Sequence, residues 1–424
     1  MSNLTAYVES ARAGAPSEPA WLADQRRLAS ERFSLLGIPT TRHEDYKYTN
    51  LKAIASGDWQ SGPEAQPGDL SAVGFLGQES ARLVFVNGRQ VSASGDLAES
   101  LAANLSEVEG HLTRYADFEA HALTALNTAL FEDGALVRIP EKTVVEKPIH
   151  IVWVSTGVAG EASHPRTLIL AARESHVKVV ETFISLGDGQ SWTNQVTEIV
   201  AEDSARVEHF KVQQESLASL HTGRIEGLQE RNASVSTISL SFGAALARND
   251  VNVTLDDEGG EAAIDGLFVV DGNQHVDHHT TLDHAKPNCN SHQLYKGILN
   301  DSARGVFNGK IIVRKDAQKT DAIQNNKNLL LSTKAEIDTK PQLEIDADDV
   351  RCTHGATIGQ LSAESLFYLR SRGIPADEAR GLLIYAFAAD LLNRITVNPL
   401  KQHFERELMH KLAKDPEDAQ ETLG

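Results

Sequence analysis

The stretch "GVFNGKIIVRKDAQKTDAIQNNKNLLLS", residues 305–332, holds two short β-rich runs on either side of a polar turn. The second run is rich in asparagine. Amides in that position suit stacked turns, where a side chain of one rung hydrogen-bonds to the next, and that is the arrangement of a solenoid. The same texture extends in both directions. From about Ala135 to about Val350, short Val/Ile/Leu/Thr runs follow one another: "ALVRIP", "RTLILAA", "HVKVVETFI", "ASVSTISLSF", "DVNVTLDD", "AAIDGLFVV" and "PQLEIDA". Turn signals such as Gly259-Gly260, Asp271-Gly272 and Asn308-Gly309 separate many of them, and no long helical pattern intervenes. So many short strands exceed the needs of a single sandwich, whereas a solenoid adds rungs without limit. No strict numerical repeat is visible, so the pattern favours a β-helix and leaves a large sandwich or barrel open.

Helices are expected on both sides. "AWLADQRRLASERFSLLGIP" places Trp21, Leu22, Leu28, Phe33, Leu35 and Leu36 at helical spacing, with Gly37 and Pro39 as stop signals. "ARLVFVNGRQVSA" reads as a hairpin around Asn87-Gly88, and "FEAHALTALNTALF" as another helix. Past the β-runs, Ser362 is a candidate N-cap, Gly373 a C-terminal stop, and Pro375 the opening of a further helix with Asp377 and Glu378 in its first turn. That helix is apolar on more than one face, through Leu382, Leu383, Tyr385, Phe387, Leu391 and Leu392. It fits either a buried helix or an arm that docks a partner.

Composition narrows the function classes. A formal net charge of -19 repels phosphate backbones, so nucleic acid is not an expected partner. Two cysteines, at 289 and 352, give neither a disulfide framework nor a C-x-x-C motif. No export signal or membrane-spanning run is visible, so the expected compartment is the cytoplasm, with no membrane partner. "GVFNGK" (305–310) is not a phosphate loop: three residues separate its glycines, and Ile311 follows the lysine. Dinucleotide, zincin and nucleophile-elbow motifs are absent, and carboxylate pairs are too abundant to mark an acid–base site.

Two clusters carry possible chemistry. In "QHVDHHTTLDHAKPNCNSHQ", His275, Asp277 and His279 share one face of a strand and have the donor types for zinc or iron. The alternative is a polar face, with the histidines satisfied by their neighbours. Cys289 reads as a small packed thiol. In "DADDVRCTHGATIGQ" (346–360), Cys352 and His354 point to one face if the segment is extended. A thiolate and an imidazole can contribute to a soft-metal or iron–sulfur site but cannot complete one, because a cluster takes about four ligands. Either the pair is structural or another chain supplies the remainder.

Residues 278–375, from "HHTTLDHAKPN" through "RCTHG" to "LRSRGIP", closely resemble the SufB/SufD family of iron–sulfur cluster assembly proteins. The likeness continues into "EARGLLIYAFAADLLNRI", and "DGALVRIP" and "EKPIHIVWV" are also similar. "GIPTTRHEDYKYTN" (37–50) and the scarcity of cysteine make the chain most like SufD. The resemblance implies a mainly β protein with a right-handed parallel β-helix core flanked by N-terminal and C-terminal α-helical regions. The implied layout is a mainly helical region with a short hairpin (1–133), the β-helix (134–356), and a helical region (357–424) that docks an ATPase. The implied role is that of a non-catalytic scaffold in a SufBCD complex, paired with a SufB-like subunit and a SufC-like ABC ATPase, or with a second copy when isolated. A transient cluster would form at the SufB interface on His354, with Cys352 beside it, and nothing would be tightly bound by the isolated chain. The competing classes are a β-helix carbohydrate-active enzyme and a stand-alone metal-binding protein using His275, Asp277 and His279.

Overall fold

The structure, a computed structural model, describes residues 4, 7–9, 18–66, 70, 75–77 and 80–413. From Ala135 onward the chain winds as a parallel β-solenoid of about eight turns, with successive strands alternating between two sheets. In one sheet the strands at Trp192–Ala201, Leu220–Gln229, Leu246–Leu255, His275–His284, Arg304–Val313 and Glu336–Ile345 lie side by side. In the other, His176–Ser185, Arg206–Gln214, Ser234–Ser241, Glu261–Val270, Asn290–Leu299, Asp321–Leu330 and Arg351–Gly359 do the same. In-register parallel pairing places equivalent residues of successive rungs in columns on one face. The Val253–Leu282–Ile311–Leu343 column and the Val207–Val235–Ala262 column line the interior. Each fully buried aliphatic side chain contributes about 1.5–3 kcal/mol to this core.

The N-terminal hairpin closes one end. Arg82–Val86 pairs antiparallel with Arg89–Ser94 and parallel with Ile149–Ser155, so it continues a solenoid sheet. Its turn requires two left-handed residues, and Asn87 (φ 50) and Gly88 (φ 83) supply them. The helices α1 (Ala20–Leu36), α2 (Lys52–Ser56) and α3 (Ala122–Leu130) belong to this end. Phe33, Ala125 and Leu126 pack with Trp192 and Leu220 on the outside of the first sheet. The buried stripe of α1 is Leu22, Ala29, Ser30 and Phe33, while Leu28 and Leu35 are exposed, which corrects the broader apolar face expected from spacing. Ala29 is fully buried and belongs to the same apolar cluster as Ala125 and Ala129 of α3.

At the other end, α4 (Ala363–Ser371), α5 (Ala376–Leu392) and α6 (Asn398–Ala413) follow the last strand. The Ser362 side chain accepts a hydrogen bond from the Ser365 N–H, and Gly373 takes φ 89 just past α4, as the cap signals require. Ile384, Ala388, Leu391, Leu392 and Phe404 pack on Phe210, Leu240, Leu267 and Ile298, the outward residues of the second sheet. The helices therefore cover the middle of that sheet and leave the terminal rung open. Both final strands, Glu336–Ile345 and Arg351–Gly359, contain no buried residue. The last strand runs to Gly359, three residues past the core limit expected at 356. No helix among the described residues is long and apolar enough to cross a membrane.

Candidate functional site

The open mouth of the solenoid carries the two donors singled out by sequence. Arg351–Gly359 pairs in parallel with Asp321–Leu330, setting Cys352 beside Ala322 and His354 beside Gln324. Ala322 and Gln324 are buried inward-facing residues, so Cys352 and His354 lie on the same inner face, one rung further out. In any earlier rung they would be sealed. Here Cys352 is half-buried against the core and His354 is exposed. Burial, and then the Asp321 carboxylate, push the Cys352 thiol up, so it is protonated near neutrality until a metal competes for it. Of the three nearby aspartates, Asp349 pairs with Lys319, and Asp346 and Asp348 are exposed.

Amides line the mouth. Gln324 Nε2 donates to Gln293 Oε1 (2.6 Å), and Gln293 Nε2 donates to Thr280 Oγ1 on the facing sheet. Thr339 Oγ1 donates to Asn326 Oδ1 (2.9 Å), and Asn328 Nδ2 donates to Asn326 Oδ1. The asparagine-rich run thus bonds between rungs, but from the interior face of a strand rather than from the turns. Gln324 Oε1 is buried and has no partner.

The histidine cluster divides by face. His278 and His284 point inward: His278 lies against Phe268 and Tyr295, and His284 Nε2 lies 2.8 Å from Ser291 Oγ. Burial lowers both, His278 to about 3 and His284 to about 4, so they are neutral core groups. His275, Asp277 and His279 point outward, but the centre they share holds a guanidinium. Arg248 Nη1 donates to Asp277 Oδ2 (2.7 Å) and to the Asp45 carbonyl (2.7 Å), and Nη2 donates to Asp250 Oδ1 (2.9 Å). The Arg248 head also sits 3.9 Å from the centre of the Tyr46 ring. Thr49 Oγ1 donates to Asp277 Oδ2, and His279 Nε2 lies 3.1 Å from Asp277 Oδ1. These contacts fasten the 45–49 segment to the solenoid wall. A cation already satisfies the carboxylate, so the trio is a structural clasp, and the stand-alone metal reading fails on this geometry. Among the described residues no group of three or more His, Cys, Asp or Glu is placed to hold a metal ion.

A cavity of about 460 Å³ lies far from the mouth, lined in part by Leu97, His111, Arg138, Leu170 and Val200. Arg138 is paired with Glu107 and Glu99, and His111 Nδ1 lies 2.8 Å from Tyr115 OH. The lining carboxylate Glu202 accepts a hydrogen bond from the Arg173 N–H. The other exposed feature is apolar: Phe367 (74% exposed) and Tyr368 (56%) on α4, with Leu382 on α5. Sequence inspection missed the Arg248 clasp and Gln324. Arg248 lies 203 residues from Asp45 and 29 from Asp277, and Gln324 lies 31 from Gln293, so only the fold brings these groups together.

The chain is a two-sheeted parallel solenoid with a thiol and an imidazole on the inner face of its open terminal rung. Comparison with known proteins gives the family. The SufBD core domain model of the SUF iron–sulfur cluster assembly system matches residues 153–387, and the SufBD N-terminal region model matches 4–69 and 87–151. The iron–sulfur cluster assembly protein SufD of Escherichia coli is 36% identical over 86% of this chain and 87% of its own length. A SufBD family protein of Synechocystis is 32% identical over 91% of this chain and 90% of its own, and SufD of Bacillus subtilis 28% over 93% and 95%. The chain belongs to the SufB/SufD family of iron–sulfur cluster assembly proteins and is most like SufD.

Proposed function

We propose that the chain is a non-catalytic scaffold subunit of a SufBCD-type complex, and that His354 supplies one ligand to a nascent iron–sulfur cluster at the interface with a SufB-like subunit. The observation that carries this is the placement of His354 and Cys352 on the inner face of the one rung whose mouth is open. The two exposed edge strands offer unpaired backbone groups to a partner sheet, and an open edge of this length is rarely left bare. One imidazole and one thiol fall short of the roughly four donors a cluster takes, so the partner contributes the remainder. A neutral imidazole binds iron more weakly than a thiolate, which suits a cargo that must depart. Cys352 is the second, weaker contributor. When no SufB-like subunit is present, the same end accepts a second copy of the chain.

A SufC-like ABC ATPase docks on the C-terminal helices, where Phe367, Tyr368 and Leu382 form an exposed apolar surface on α4 and α5. Nucleotide-driven motion of that subunit reshapes the mouth. The test is co-purification with SufB-like and SufC-like partners, followed by anaerobic cluster reconstitution. His354→Ala is expected to abolish most cluster formation in an intact complex, and Cys352→Ala to reduce it less. Failure to co-purify, or full cluster formation by His354→Ala, overturns the reading.

A further inference from the structure

We propose that Gln324 is the positioning residue of His354, its buried side-chain carbonyl accepting the Nδ1–H of the imidazole so that Nε2 is presented, unprotonated, to the open mouth. This rests on the role given to His354 above and adds the group that fixes its tautomer and orientation.

The argument begins with an unpaired atom. Gln324 is fully buried, yet its Oε1 has no hydrogen-bond partner. A buried amide carbonyl left alone costs about 1–3 kcal/mol, so such an atom in an otherwise paired network calls for a reason. The opposite end of the amide is fixed. Gln324 Nε2 donates to Gln293 Oε1, and Gln293 Nε2 is itself tied to Thr280 Oγ1 across the interior. This relay sets the amide orientation: nitrogen toward the preceding rung, oxygen away from it. The next rung outward on the same column holds His354. Parallel strands lie about 4.8 Å apart, which places an in-register glutamine carbonyl and imidazole nitrogen within reach of one hydrogen bond.

Space favours the same arrangement. Gly309, across the interior, has no side chain, and a Cβ built there would meet Gln324 Nε2 at 2.3 Å. The glycine therefore makes room for the glutamine head and confines it. His354 is exposed at the mouth and has no side-chain hydrogen-bond partner among the described residues. Metal-bound histidines typically donate their second ring N–H to a carbonyl or carboxylate, and loss of that partner costs about 10–100-fold in metal affinity or activity. An amide carbonyl suits a ligand that must later release its cargo, because it orients the ring without adding the negative charge of a carboxylate.

The experiment uses the full chain in complex with its SufB-like and SufC-like partners. Nitrogen-15 spectra of His354, recorded at alkaline pH, report which ring nitrogen carries the proton. The wild type is expected to show the Nδ1–H form. Gln324→Leu, which fills the same space without an acceptor, is expected to lose that preference and to lower the rate of cluster formation about tenfold or more. Gln324→Glu keeps an acceptor at the same reach and is expected to retain the Nδ1–H form. Gln293→Leu checks the relay: freeing the Gln324 amide to rotate is expected to produce a mixture of tautomers. An unchanged tautomer in a folded Gln324→Leu complex overturns the proposal, as does a Gln324→Glu complex that behaves like Gln324→Leu. The two readings fail separately. If His354→Ala forms clusters normally, the ligand role falls; if it does not, but Gln324→Leu matches wild type in tautomer and rate, only the positioning role falls.

Discussion

Replacing Arg248 with methionine tests the clasp that holds the 45–49 segment to the solenoid. The side chain is fully buried and bridges Asp277, Asp250 and the Asp45 carbonyl beneath the Tyr46 ring. Methionine fills much of the volume but leaves the Asp277 carboxylate buried without its cation. Breaking a buried pair from one side costs about 3–5 kcal/mol, and that is the expected loss at pH 7. Acidity gives the sharper signature. Burial pushes the Asp277 carboxyl up, but Arg248, His279 and Thr49 together pull it well below the usual range; Asp250, raised by burial but pulled down by Arg248, Arg224 and His279, sits at about 2. Both lie below the unfolded value of about 3.9, so their stabilisation is complete above about pH 4 and is lost as pH falls through the folded values. In Arg248→Met the raising effect of burial on Asp277 loses its main opponent. A carboxyl raised above its unfolded value destabilises at neutral pH and recovers on protonation. The stability deficit is therefore expected to shrink as pH falls from 7 toward 5. Urea unfolding read by tryptophan fluorescence suits the measurement, since Trp59 and Trp192 pack 5.5 Å apart at this end of the molecule. A deficit below about 1 kcal/mol at pH 7, far under that of a broken buried pair, or one that grows on acidification, refutes the reasoning.

Two further outcomes follow from buried and exposed residues of the solenoid. Lys211 is sealed inside, donating to Gln195 Oε1 (2.8 Å) and Asn249 Oδ1 (2.6 Å); burial pulls its amine down to about 7, against the raising influence of Glu181 and Glu215. The unfolded amine binds protons up to about pH 10.4, so this group makes stability rise between pH 7 and 10, and Lys211→Met is expected to lose that slope. Equal slopes for both proteins in urea titrations at pH 7, 8 and 9 would refute it. Ile358, on the inner face of the last strand and 51% exposed, is the other case. Ile358→Lys is expected to change stability by no more than about 0.5 kcal/mol, because the long side chain reaches solvent, yet to block pairing at the mouth. Retained co-purification with the SufB-like partner would place that interface elsewhere.

Some local signals were legible and others were not: Asn308-Gly309, read as a turn, lies inside the strand Arg304–Val313. Asn87-Gly88, Ser362 and Gly373 behave as their chemistry requires. The solenoid itself was legible as texture but not as a number. Successive rungs are separated by as few as 26 residues, Leu220 beside Leu246, and as many as 32, Arg304 beside Glu336. Variable turns absorb the difference while strand register stays exact, so a fixed period never forms. Periodicity also overcounted the buried face of α1, because Leu28 and Leu35 match helical spacing without meeting a second layer. His275, Asp277 and His279 shared a face as alternation demanded, but donor type could not reveal that Arg248, one rung away, already occupied their centre. Facing is a local property; occupancy depends on register between rungs.

The same distinction explains where chemistry can sit in this fold. An inward-facing side chain in a middle rung is covered above and below, so polar groups there must satisfy one another, as Glu181 and His209 (2.9 Å) or Glu215 and His221 (2.7 Å) do. Such pairs are inaccessible to any cargo. An outward-facing side chain is either covered by a flanking segment, as Asp277 and Phe210 are, or lies on a convex wall with nothing to exclude water or to converge on one atom. Among the described residues, only the last rung combines inner-face geometry with access, and Cys352 and His354 occupy it. On the function proposed above, a second sheet would complete its walls, and a cluster site assembled there would open when the two sheets part, coupling release of the cargo to motion between subunits rather than to unfolding of either one. Long-range charge bears on that proposal: at a formal net charge of -19, a second copy is repelled on approach, so it would dock there more weakly than a less acidic partner.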